Sequence, residues 1–343
     1  MEPIDPSRMK GRKWVMREIE KMDPETQYEE IISLFMQYTS DMFALHYTVV
    51  TGTMHNILPR SGAETLAYTN KIVRRPMKRN EDGLAFFWIW FGKGPSHPDT
   101  IASVKRLNQI HMQVAKQLPG NFSHNDEFVY TLAMIGIFND RLLKKLGLGG
   151  MPEKLKIAMH HELRDLSKLF MTEGGLVHDF PEDFQGLHRF CEDFENRRGS
   201  YTSAATDVCN AMIADFATRW FPKPLQWFGR AMMIYGAQDV VIRQHRLKPL
   251  SPFTRFVTHW AMKAMFYAKL HIMPDSKVSF LDTWKPLTLD EIREADRAAA
   301  TRADEAGWIR GGEHTLAVTR GKASDAHGHG DGQPAPVSQS PSS

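Results

Sequence analysis

A histidine at position 111 stands where a helical pattern asks for an apolar residue. In the stretch VKRLNQIHMQV (104–114), Val104, Leu107 and Val114 recur at the 3–4 residue spacing of one helical face, and Leu118 extends it. His111 falls in the same stripe. A neutral imidazole on a core-facing helix is a metal ligand type, and haem iron needs only one helix to present it. Asn108 lies one turn earlier and the small Ala115 one turn later. That neighbourhood lets a macrocycle approach and offers an amide to orient the ring. The competing reading is a structural histidine with a satisfied hydrogen bond, and it applies equally to His46 and His55. Arg79 and Arg106 are candidate guanidinium groups for such a site, suited to carboxylates such as haem propionates or to surface ion pairs.

Other chemistries fail on spacing. A four-helix di-iron site wants Glu-x-x-His on two helices, and no histidine here has Glu three residues before it. HHELRD (160–165) resembles the zinc motif H-E-x-x-H but ends at Asp165, so His160, His161 and Glu162 are expected on a polar helix face. There is no G-x-G-x-x-G, Walker loop or G-x-S-x-G. The two cysteines, Cys191 and Cys209, form no CxxC or CxxCH pattern, which excludes zinc knuckles and attached c-type haem and suits a reducing cytoplasmic compartment.

The elements that must position these residues are helical. Ile31, Phe35, Tyr38, Met42, Leu45 and Val49 share one face. Asp99 is the expected cap of the helix carrying His111. Ser123 with Asp126 opens the next helix, which closes on lysines and glycines. Pro152, Pro181 and Pro252 sit near helix starts, and Thr288 with Glu291 forms a capping-box pattern. LAFFWIWFG (84–92) reads as a buried helix or strand, or as the aromatic wall of a flat pocket. No stretch alternates strictly and no repeat is evident. The sum is an all-α fold, a single large domain of about ten helices over residues 24–310. A polar leader (1–23) precedes it, and a Gly/Ser/Pro-rich tail (311–343), expected to be disordered, follows. His327 and His329 in that tail read as an incidental pair.

Composition bounds the partners. With 42% apolar and 24% charged residues the chain is globular in type, and a formal charge of +3 gives no general basic surface for nucleic acid. Arg74, Arg75, Lys78 and Arg79 read as a solvated face. The longest stretch without charged side chains, 42–59, contains two histidines and several threonines, so no transmembrane segment is expected.

Four segments in order, ALHYTVVTGTMHNILP (44–59), RPMKRNEDGLAFFWIWFG (75–92), VKRLNQIHMQV (104–114) and SHNDEFVYTL (123–132), resemble the MpaB and rubber-oxygenase (latex-clearing protein) family. A weaker likeness continues through 221–256, so the resemblance spans roughly 28–270. It implies helices around an apolar pocket for haem b, whose iron is bound by the residue matching His111. It also implies oxidative cleavage of carbon–carbon double bonds in a small, apolar, isoprenoid-like substrate by dioxygen. Three positions depart from the family pattern: His46 is followed by Tyr47, Gly83 stands where Arg-x-x-x-Thr would place its threonine after Arg79, and Asp82 stands where a lysine can face the iron. The expectation is a haem-dependent oxygenase with Arg79 as its polar catalytic group and Arg106 and Asn108 beside the cofactor. The alternative is a non-catalytic helical carrier of haem or lipid.

Overall fold

A computed structural model describes residues 6–197, 199, 201–285 and 287–308. Sixteen α-helices and one two-stranded hairpin of two-residue strands make the described chain all-α. The number exceeds the ten or so expected because the chain inserts short helices: α1 (Trp14–Ile19), α5 (Lys71–Arg74), α13 (Asp239–Gln244) and α15 (Phe280–Thr283). Each is too short to show a period of its own.

The centre of the fold is α8 (Asn125–Lys145). Asp126 and Glu127 in its first turn and Lys144 and Lys145 in its last complement the helix dipole. Eleven of its residues are buried, and they feed two apolar clusters. Tyr130, Met134, Ile137 and Phe138 join the cluster built with α3 (Met42–Asn56), α4 (Arg60–Thr69), α11 (Ser203–Trp220) and α12 (Gln226–Gly236). Val129, Leu132 and Leu143 join the one built with α1, α2 (Tyr28–Thr39), α6 (Pro76–Lys93) and α9 (Glu153–Ser167). Where α8 meets α9, a β-carbon at Gly136 would lie 2.6 Å from Leu163 Cδ1, so a larger residue there would require Leu163 to shift.

The leader carries more structure than its polarity suggests. Trp14, Val15 and Ile19 are buried. Asp275 accepts from the Val15 amide at 3.1 Å and pairs with Lys13 at 2.9 Å, so this segment belongs to the folded body. The tail, with His327 and His329, lies outside the described residues.

Helix starts shift where another group does the capping better. The cap of α7 (Pro98–Ala115) is His97, whose Nδ1 accepts from the Asp99 amide at 3.1 Å, and Asp99 instead pairs with Lys93. Ser123 is withdrawn from capping α8 because its hydroxyl donates to the Gly120 carbonyl at 2.7 Å. The capping box Thr288–Glu291 opens α16 (Leu289–Glu305) as expected. LAFFWIWFG is the second half of α6. Leu84, Trp88, Trp90 and Phe91 are buried and Trp88 stacks on Phe280 at 4.5 Å, which is the buried-helix reading.

A candidate ligand site on the α6–α7 hairpin

Residues 94–97 join α6 to α7 as a tight helical hairpin. Two hydrogen bonds fix its register. The Thr100 hydroxyl donates to the Ile89 carbonyl at 3.1 Å, and the Trp90 indole N–H donates to Ser103 at 3.2 Å. Continued toward the open end, that register sets the first turn of α6, with Arg79, opposite the last turns of α7, with His111.

His111 lies on the inward face of α7 with Val104, Asn108 and Ala115. Its ring stacks on Phe122 (centroids 4.7 Å apart) and meets Phe128 edge-on at 6.0 Å. Nδ1 is sealed from solvent and has no hydrogen-bond partner, whereas Nε2 is not sealed and also makes no hydrogen bond among the described residues. Loss of water by burial, and then the nearby Arg79 charge, push the pKa of His111 down to about 4. At neutral pH the ring is uncharged, with an uncommitted nitrogen.

Arg79 lines a recess of about 30 Å³ with Val49, Thr53, Ile72, Met212 and Asp215. Arg79 is nevertheless exposed by surface area; the crowding of its guanidinium lowers its pKa by desolvation, and it forms no ion pair within 4 Å among the described residues. The guanidinium folds back along α6. A β-carbon at Gly83 would sit 2.9 Å from its Nη1, so glycine at that position leaves the space the arginine occupies. The basic cluster is the solvated face expected of it: Arg75, Lys78 and Arg79 are exposed, Arg74 pairs with Asp304 at 2.7 Å and Lys78 with Asp82.

The other two expected cofactor residues are not brought to His111. Asn108 is buried, but its amide donates to the Leu169 carbonyl at 2.9 Å and accepts from the Met171 N–H at 3.2 Å. It fastens α7 to the segment after α9 and does not orient the imidazole. Arg106 is exposed on the outer face of α7, roughly 140° around the axis from His111 at ~100° per residue. Five residues of separation cannot put two side chains on one helix face.

His55, His46 and His160 resolve into structural roles, while His161 and His245 also bury an Nδ1 without a hydrogen bond but engage their Nε2. His55 donates from Nδ1 to the Thr51 carbonyl at 2.8 Å and accepts the Gln238 amide at 3.3 Å, and burial lowers its pKa to about 3. His46 is buried in a polar network. The Trp220 indole can only donate, so the 2.7 Å contact makes Nδ1 the acceptor and leaves the ring proton on Nε2. Asn80 lies 3.0 Å from that Nε2, and Asp215, held by Arg219 at 3.0 Å, lies 3.9 Å away. His160 and Glu162 are buried, which corrects the polar-face expectation. Helix α9 is wrapped by α2 on one side and by the chain around Pro181 on the other, and His160 Nε2 donates to the Pro181 carbonyl at 2.8 Å.

One feature had no sequence signal. The larger cavity, about 470 Å³, is lined by Arg60, Ser61, His124, Glu127, Arg197 and Gln244 among others, and His111 is not part of its wall. Its residues come from distant parts of the chain. The Ser61 hydroxyl donates to Glu127 at 2.5 Å, and burial raises the Glu127 pKa.

No protein-family model matches the chain, and no curated protein matches it.

Proposed function

We propose that this protein binds haem b through His111 and acts as an oxygenase on a small, apolar, isoprenoid-like substrate. The observation that carries the reading is His111 itself: a neutral imidazole on an inward helix face, both nitrogens without hydrogen bonds, one of them unsealed. A structural histidine of that burial normally finds partners, as His55 does. The donor type suits the group, because haem iron takes a neutral imidazole nitrogen, although His111 lines neither the 30 Å³ recess nor the 470 Å³ cavity, so a macrocycle would have to open its own space there. Resemblance of the four ordered segments to the MpaB and rubber-oxygenase proteins supports the same assignment.

In this reading His111 holds the iron through Nε2, since Nδ1 is covered. Phe122 and Phe128 fix the ring plane by stacking and edge contact. Arg79, an exposed cation without an ion-pair partner among the described residues, receives a carboxylate or a polar atom of the substrate. The half-buried Phe86 and Phe87 of α6 offer apolar surface to the substrate. Haem b, when bound, supplies the metal centre at which dioxygen is activated; the chain supplies position, dryness and one positive charge.

The test is a visible spectrum, with and without dithionite, of protein expressed with haem supply. The reading expects a Soret band that His111→Ala removes, and oxygen uptake with an isoprenoid substrate. Absence of bound haem and iron in the wild-type protein sinks the proposal. Haem binding without oxygen-dependent turnover assigns it to the carrier alternative.

A further inference from the structure

Helix α14 (Pro252–Tyr267), continued by a π-helical turn over Ala268–Ile272, is amphipathic in the wrong direction for a globular surface. Its buried side is narrow, with Thr258 and Met262 both fully covered. Its outward side carries Phe253, Phe256, Trp260 and Tyr267, at the 3–4 spacing of a single helical face. They are 75%, 62%, 52% and 49% exposed, and Ile272 and Met273 beyond them are 53% and 56% exposed. A contiguous row of large exposed side chains marks an interaction site, unlike isolated exposed apolar residues.

The charges around this face say what covers it. Between Phe221 and Pro274 the sequence holds eight lysines and arginines and one acidic residue, Asp239, while the whole chain is only +3. This stretch is therefore one of the basic parts of the chain, and from 240 to 274 it holds no acidic residue at all. Lys248 and Arg255 are exposed and have no carboxylate within 4 Å among the described residues. Lys263 also lacks one and lies over the Trp260 ring at 5.3 Å. Aromatic rings in a row, with the unpaired Lys263 beside them in a stretch free of acidic residues, match the two layers of a lipid surface: acyl chains below and anionic headgroups above. Among the described residues no helix is long and apolar enough to cross a membrane, so the geometry is that of a helix lying in the interface plane.

We infer that the outward face of α14 docks the protein peripherally on an anionic lipid bilayer. Phe253, Phe256, Trp260 and Tyr267 enter the headgroup–acyl boundary, and Lys263 beside Trp260 meets anionic headgroups. The inference does not depend on haem, and its test reads lipid binding only.

The experiment is flotation of the full chain with vesicles of phosphatidylcholine alone and of phosphatidylcholine mixed with phosphatidylserine. The protein floats with the anionic vesicles and not with the neutral ones. Lys263→Glu weakens binding by at least about fivefold, since each surface cation contributes roughly a fivefold factor. Phe256→Ser and Phe253→Ser each reduce flotation with far-UV circular dichroism unchanged, because neither ring supports the core. Brominated lipid quenches indole fluorescence in the wild type more than in Trp260→Phe. Equal flotation with neutral vesicles, or undiminished flotation of the Phe253 and Phe256 variants, overturns the inference. So does a dimer in light scattering that Phe256→Ser disperses while vesicle binding is absent, which assigns the face to a second copy of the chain.

Discussion

Replacing His111 with leucine tests the central physical statement, that this imidazole is held neutral in a desolvated site. In the unfolded chain it takes up a proton at its ordinary pKa of 6.5, but in the folded protein only near 4. Between those values the unfolded state binds the extra proton, so acid favours unfolding. The stability that neutral His111 contributes is fully present above pH 6.5 and is lost as pH falls toward 4. The free energy linked to that window is at most about 3 kcal/mol, at 1.36 kcal/mol per pKa unit. Leucine has similar bulk, does not titrate and leaves no orphaned Nδ1, whose burial without a partner costs about 1–3 kcal/mol. His111→Leu is therefore expected to be neutral to stabilising at pH 7 and increasingly stabilising, relative to wild type, down to pH 4. The assay is urea unfolding of haem-free protein at intervals from pH 7.5 to pH 4, followed by circular dichroism, taking the difference between the two proteins. His46 and His55 also resist protonation by burial, but they are common to both proteins and cancel. A difference that stays flat across the window refutes the claim of a desolvated imidazole, and with it the physical basis for a ligand there.

Gly83→Thr places a β-carbon against the Arg79 guanidinium and moves that charge, so the His111 pKa rises from about 4 toward its ordinary value; ring resonances followed by NMR titration report it, and an unmoved titration refutes the coupling. Asn108→Ala strands the Leu169 carbonyl and the Met171 amide, which costs about 2 kcal/mol in urea unfolding. Its haem titration should match wild type, and a large change in the Soret position would show instead that the amide orients the ring. Glu162 is buried beside Glu29, Asp165 and Glu30, and desolvation first, then those charges, raise its pKa well above 4.5. A raised carboxyl contributes stability that is whole below pH 4.5 and declines as pH climbs toward the folded value. Glu162→Gln should therefore melt progressively higher than wild type as pH increases, and parallel Tm curves for the two proteins would contradict this.

The all-α class was written into the chain, because a 3–4 residue apolar spacing has no other economical solution. So were the proline-marked starts and the Thr288–Glu291 capping box, which depend only on residues a few positions apart. The inward placement of His111 was legible for the same reason, since Val104, Asn108 and Ala115 share its face. Even the nearness of the Arg79 charge to His111 has a sequence trace: the four residues between α6 and α7 allow a hairpin that sets the start of one helix against the end of the other. Tertiary structure decided which polar groups were free to act. Asn108 looked available until Leu169 and Met171, some sixty residues away, claimed its amide. His55 and His111 have similar apolar neighbours in sequence, yet one is satisfied by distant backbone and the other is not. Glu162 became buried only because α2 folds over α9. The outward aromatic row of α14 carries the same 3–4 spacing as a core-facing stripe, and only packing shows which way it points. Periodicity specifies a face, whereas the burial and hydrogen bonding of that face depend on the elements that close over it.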